Sequence, residues 1–99
     1  LYAMYKLTNI GTIKATNISG KAKIFKSSDN ILISTIPIHF ERDTDKTNIE
    51  LNANAETYFE LTFPESITSH NDYKSIRFEW TLNEEHNINT SLRIVELAL

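Results

Sequence analysis

Residues 49–63, IELNANAETYFELTF, alternate along nearly their whole length. Ile49, Leu51, Ala53, Ala55, Phe59, Leu61 and Phe63 hold the odd positions, with Thr57 the one polar exception. Glu50, Asn52, Asn54, Glu56, Tyr58, Glu60 and Thr62 hold the even ones. A period of two places successive side chains on opposite faces of a strand, one toward a core and one toward water. A helix over AETYFEL collects no better apolar face at spacings of three and four. One strand of this length would span roughly 50 Å at ~3.3 Å per residue, well beyond the usual strand. The alternation therefore predicts a break near Asn52–Glu56, where small and turn-forming residues gather, with the chain crossing there from one sheet to another.

The same rule organises the rest of the chain. Residues 74–82, KSIRFEWTL, set Ile76, Phe78, Trp80 and Leu82 against Arg77, Glu79 and Thr81. Such a row is either the inner face of a sheet or an aromatic platform for a ligand. Each of these side chains gains roughly 1.5–3 kcal/mol on burial, which favours the core reading. The expectation is a central core strand facing Phe59, Leu61 and Phe63. Residues 12–16 turn Ile13 and Ala15 inward, and residues 21–26 do the same with Ala22 and Ile24. In residues 31–40 the parity changes between Ile33 and Ile36, which predicts a bulge at Ser34–Thr35. Pro37 cannot donate to a ladder, so this strand is expected at a sheet edge. Residues 92–97 close the chain, with Leu92 and Ile94 inward and an ambiguous parity beyond them.

Turn-forming residues separate these runs at Ser19-Gly20, Ser27–Asn30, Glu41–Asn48, Pro64–Asp72 and Asn83–Asn89. The chain holds thirteen Ile, eleven Thr and ten Asn against two Gly. Branching at Cβ suits Ile and Thr to strands, and Asn tolerates the positive φ of tight turns. Strands at this spacing, with no strand–helix alternation, predict an all-β antiparallel sandwich of about seven strands in one domain spanning residues 1–99. The first residue is Leu1, from which the segment is expected to be excised from a longer chain, with any anchor upstream.

In residues 11–25, GTIKATNISGKAKIF, a glycine, an alternating strand, Asn-x-Ser, a turn and a second alternating strand follow in order. This stretch resembles the opening of small immunoglobulin-like modules of the FxLyD type. NANAETYFELTF, residues 52–63, is similar to the segment of those modules and of fibronectin-type domains where a short loop leads into an aromatic-bearing strand. Two departures stand out: SSDN replaces the Asp-Gly after KAKIF, and no Pro-Gly precedes TYFEL. The resemblance implies an immunoglobulin-like sandwich serving as an extracytoplasmic or cell-surface accessory module, and it carries over no site residues.

Charge and composition narrow the partners. Net charge is −3 and the pI about 5.5, and no two basic residues are adjacent, so nucleic acid is not an expected partner. Cysteine is absent, which removes disulfides and thiolate metal sites. No apolar run approaches the ~18 residues of a membrane span, so direct membrane insertion of this segment is not expected.

Motifs for chemistry are sparse. Glu41, Asp43 and Asp45 alternate in FERDTDKTN and form a weak calcium candidate, with Arg42 and Lys46 interspersed and no glycine for an EF-hand turn. His86 follows Glu84 and Glu85, and only His70 could complete a zinc set from a second element, so a solvated loop is the better reading. No nucleophile elbow, no H-E-x-x-H and no phosphate-binding glycine loop occurs, so neither an enzyme nor a cofactor is expected. Asn17 and Asn89 begin N-x-S/T sequons, a coincidence expected in an Asn-rich chain.

The leading functional expectation is a non-catalytic interaction or assembly module that binds a protein partner or itself. Its candidate edge is Ile36, Pro37, Ile38 and His39. One alternative is carbohydrate binding through exposed rings, with Tyr58 and Tyr73 as candidates among Tyr2, Tyr5 and Trp80. Another is a structural subunit of a pilus or virus particle. The core reading of residues 74–82 has an optical test. Trp80 fluorescence is expected blue-shifted in the native protein and moving red on unfolding, and a fully red native emission would return the ring to the ligand contacts.

Overall fold

The computed structural model describes residues 2–40 and 47–98. Seven strands run in chain order: β1 (Tyr2–Asn9), β2 (Ala15–Lys26), β3 (Leu32–Pro37), β4 (Ile49–Leu51), β5 (Glu56–Thr62), β6 (Ile76–Asn83) and β7 (Leu92–Ala98). A short helix α1 (His70–Lys74) precedes β6, and one 3-10 turn (Asn89–Ser91) precedes β7. Among the described residues all strand pairings are antiparallel. One sheet has the order β5-β1-β7; in the other, β2 pairs β3, β4 and β6. The all-β sandwich of seven strands is therefore as the alternation predicts.

The first two strands are the centres of the two sheets. Ala3, Tyr5 and Leu7 of β1 meet Ala15, Ile18, Ala22 and Ile24 of β2 in one buried core, joined by Phe59 and Leu61 of β5. β1 shows no clear alternation in the sequence. Met4 interrupts its polar face and Tyr5 reads as amphipathic, which hides an alternation that the packing makes plain.

Several boundaries follow the sequence closely. β4 ends at Leu51 and β5 begins at Glu56, and the two belong to different sheets, so the chain does cross at Asn52–Glu56. β3 pairs only with β2 among the described residues and is an edge strand, as Pro37 requires. Its irregularity lies one residue earlier than expected: Ile24 opposes Ser34 and Phe25 opposes Leu32, which leaves Ile33 as the extra residue. Leu92 and Ile94 pack inward, and a register shift that leaves Leu97 between Glu96 and Ala98 explains the ambiguous parity beyond.

Three expectations are corrected. Ser19-Gly20 is no turn, because β2 runs through it, with Ser19 opposite Asn83 and Gly20 opposite Leu82. Gly20 is there for close approach: a Cβ would lie 2.7 Å from Leu82 Cδ2 and 2.9 Å from the Thr81 carbonyl oxygen. Ile13 is exposed in the connection between β1 and β2 instead of facing inward, and only Ala15 of its stretch is buried. β6 is not central, since β2 is its one partner among the described residues, and its apolar row is half-buried at the margin of the core. The row does face the expected aromatic partners. Trp80 lies 5.0 Å from Tyr5, 5.9 Å from Phe59 and 5.3 Å from Phe78 between ring centroids, and Phe78 lies 6.0 Å from Phe63.

Asn9, at the end of β1, is fully buried and fully bonded. Its Nδ2 donates to the carbonyls of Ile13 (2.9 Å) and Leu51 (3.1 Å), and its Oδ1 accepts from the Gly11 amide (3.0 Å). Its backbone N–H donates to the Ala55 carbonyl, and its carbonyl accepts from the Asn54 amide. Both sheet crossings, β1 to β2 and β4 to β5, are thus tied to one residue. Truncating the side chain removes all three bonds, that to the Leu51 carbonyl from a buried position. Asn9→Ala is expected to cost about 2–4 kcal/mol in urea unfolding, and a loss below about 1 kcal/mol would remove this role.

Candidate functional site

The end of β3 and the outer face of β5 frame a cavity of about 420 Å³. Ile36 and Pro37 of β3 and His39 just beyond it line one side, and Met4, Tyr58 and Thr62 of the other sheet line the opposite side. Parity explains the second set. β5 sends Phe59 and Leu61 into the core, so Tyr58, Glu60 and Thr62 point the other way. β1 pairs Tyr2 with Thr62 and Met4 with Glu60, which brings Met4 onto the same outer face.

Tyr58 is half exposed, and its hydroxyl donates to Glu56 Oε1 at 3.0 Å. Glu56 in turn lies 3.6 Å from the Lys6 ammonium. The hydrogen bond to Glu56 and the carboxylate's charge push the Tyr58 phenol above its ordinary pKa, so it remains a donor across the physiological range. His39 is exposed beside it. The lining thus combines apolar contact area with the Tyr58 phenol, the His39 imidazole, the Thr62 hydroxyl and the Glu60 carboxylate. Chemically, it suits the burial of a partner's side chain with directional hydrogen bonds at the rim.

The cavity unites Ile36, Pro37 and His39 of the candidate edge with Tyr58 of the carbohydrate alternative. Ile38, the fourth residue of the candidate edge, does not line the cavity, because its side chain is fully buried in the core. Tyr73 is likewise lost as a stacking surface. Its ring packs 5.5 Å from Phe63 and 5.8 Å from Phe78, and its hydroxyl meets the buried Tyr5 hydroxyl at 3.0 Å. Burial raises both phenols above their ordinary pKa, and for Tyr5 the hydrogen bond to Tyr73 adds to it. The two rings proposed for sugar stacking therefore lie in different surroundings. Met4 and Thr62 were missed because neither carries a chemical signal in sequence; only the β1–β5 register reveals them.

Glu41, Asp43 and Asp45 lie outside the described residues. Among the described residues, no three His, Asp or Glu side chains stand together as metal ligands. Glu84 has another task. Its side chain is buried and accepts from the amides of Thr16 (2.8 Å), Ile88 (3.2 Å) and His86. Thr16 also accepts the Glu85 amide through its carbonyl and donates its hydroxyl to Glu85 Oε2. The β6–β7 loop is therefore latched onto the start of β2. Glu85 and His86 remain exposed, and His70 begins α1.

Comparison with family models, curated proteins and solved structures finds no match to this chain.

Burial alone would raise the Glu84 carboxyl, but the amides of Thr16, Ile88 and His86 outweigh it and hold the pKa at about 2. The ordinary value is 4.5, so the folded group binds its proton less readily than the unfolded one. Its contribution to stability is full above pH ~4.5 and is lost as the pH falls through about 2. Melting curves between pH 5 and pH 2 are expected to show a steeper acid loss for the native protein than for Glu84→Gln. Parallel slopes would remove Glu84 as the source.

Proposed function

We propose that this domain is a non-catalytic interaction module that takes a protein partner into the cavity between the end of β3 and the outer face of β5. The observation that carries the reading is the convergence there of Ile36, Pro37, His39, Met4 and half-exposed Tyr58, drawn from both sheets. Tyrosine beside apolar side chains is the composition of binding hot spots, since it offers contact area and a hydrogen bond at low entropic cost. The stacking of a sugar would need a second ring beside Tyr58, and Tyr73 is engaged elsewhere, so a protein partner is preferred to a carbohydrate. The immunoglobulin-like resemblance of residues 11–25 and 52–63 supports placing the module in an exported or surface-exposed protein.

The test compares the native domain with Tyr58→Ala and His39→Ala as immobilised bait for envelope extracts. All three are expected to melt alike, because both side chains are exposed. A partner retained by the native domain is expected to be lost, with affinity reduced about tenfold or more, in Tyr58→Ala. Equal retention by all three baits would remove the cavity as the binding site.

A further inference from the structure

We propose that the free flank of β6 pairs with β6 of a second copy of this chain, forming a two-fold symmetric dimer with a continuous sheet. This surface lies on the opposite flank of β2 from β3, because Lys21–Phe25 pair with both strands. The proposal is therefore independent of the cavity.

The edges of β3, β5 and β7 carry features that oppose pairing, and β4 is only three residues long. β3 has the extra residue Ile33 and, at Pro37, a missing donor. The Ile38 amide bonds the Gly20 carbonyl, and Pro37 opposes Lys21 one step along, so the alternation turns the Pro37 nitrogen toward the open side. β5 presents Glu56 and Glu60 on its outer face at positions that oppose each other when two copies pair about Tyr58. β7 carries the register shift at Leu97 and sets Glu96 opposite inward-facing Tyr5. Bulges, proline, like charges and inward charges are the known guards of sheet edges.

β6 has none of these. Its eight residues pair with β2 in unbroken register from Ile76–Lys26 to Asn83–Ser19. The bond from the Ser27 amide to the Ser75 carbonyl sets the phase of the ladder: Arg77, Glu79 and Thr81 bond β2. Ile76, Phe78 and Trp80 then direct their amides and carbonyls to the open flank, where no described residue pairs with them. At the far end Asn89 Nδ2 closes the Leu82 carbonyl, which limits the free ladder to those three.

Charge selects the occupant and the register. Two antiparallel copies centred on Phe78 place Arg77 of each opposite Glu79 of the other, in the closer, non-hydrogen-bonded pairing. Ile76 then opposes Trp80 on the inner face and Phe78 opposes Phe78, so half-buried apolar surface gains cover. The two symmetry-related Ile76–Trp80 pairs and the Phe78–Phe78 pair are of the hydrogen-bonded type. A shift by two residues either way sets Glu79 against Glu79 or Arg77 against Arg77. The Arg77–Glu79 ion pair seen within one strand at 3.3 Å would become part of a four-membered alternating cluster. Arg77 is already held over the Phe25 ring at 4.2 Å and bonded to Asn30, which keeps it on this face.

Sedimentation velocity from micromolar to millimolar protein is the experiment, run on the native chain, Glu79→Lys, Arg77→Glu and the double swap Arg77→Glu/Glu79→Arg. Melting curves accompany each variant to confirm folding. The native chain is expected to dimerise, with each single variant weakened about tenfold or more and the double swap restoring association. A native chain that stays monomeric throughout overturns the proposal. So does a dimer indifferent to the single variants, or a folded double swap that fails to recover. Tyr58→Ala, which alters the cavity alone, is expected to dimerise as the native chain does.

Discussion

The sandwich depends on a buried amide at the point where its two sheets exchange strands. Asn9 ends the central strand of one sheet and bonds Leu51, the last residue of β4 in the other. The same side chain caps the turn that leads into β2. A carboxamide suits this place because it offers two donors and an acceptor without charge, so burial carries no ionisation cost. An apolar residue would take this donor from the buried Leu51 carbonyl, and a carboxylate would supply no donor. Asparagine also takes over much of the work of turns in a chain with only two glycines. Asn17, Asn30, Asn54 and Asn87 have φ between 54° and 65°, the left-handed region that most side chains avoid.

β2 carries the second sheet in the way that Asn9 joins the two. One strand pairs with β4 near its start and with β3 and β6 along its later half. The change of partner coincides with a register shift between Ala15 and Ile18, at which Asn17 adopts positive φ. Gly20 then lets Leu82 and Ile38 close over the backbone. Because β2 is flanked on both sides, β3 and β6 become edges. The cavity and the free ladder are both consequences of that arrangement, one at each margin of the sheet.

Alternation was legible wherever one face of a strand meets the core and the other meets water. It located the crossing at Asn52–Glu56 and the inward residues of β7, while Pro37 marked β3 as an edge. It failed where a residue serves packing at close range. Ser19-Gly20 has the composition of a turn, yet Gly20 is selected by the side chains above it, which only the fold brings near. Glu84 reads as a loop carboxylate, and its amide partner Thr16 lies far away in sequence. α1 left a trace that could have been read: Ser69 and Asp72 form a reciprocal cap, a serine followed three residues later by a carboxylate. The rank of β6 within its sheet was not legible at all, since an apolar row specifies a face and says nothing about how many neighbours the backbone has.

That last distinction separates the two kinds of surface available for function. Side-chain parity decides which atoms reach a cavity. Phe59 is spent on the core, and its neighbour Tyr58 is left on the outer face for that reason alone. Backbone polarity decides which edges can be extended, and it is independent of hydrophobic pattern. A strand can bury its apolar row against one sheet while its other ladder stays unfilled. Trp80 illustrates both at once: its ring belongs to the aromatic core shared with Tyr5 and Phe59, and its amide and carbonyl point outward. The core fixes such an edge in one conformation before any partner arrives, which lowers the ordering cost that association would otherwise carry. A rigid, regular edge next to paired charges of opposite sign is therefore better suited to selective self-recognition than a longer or more apolar one, because register errors meet like charge.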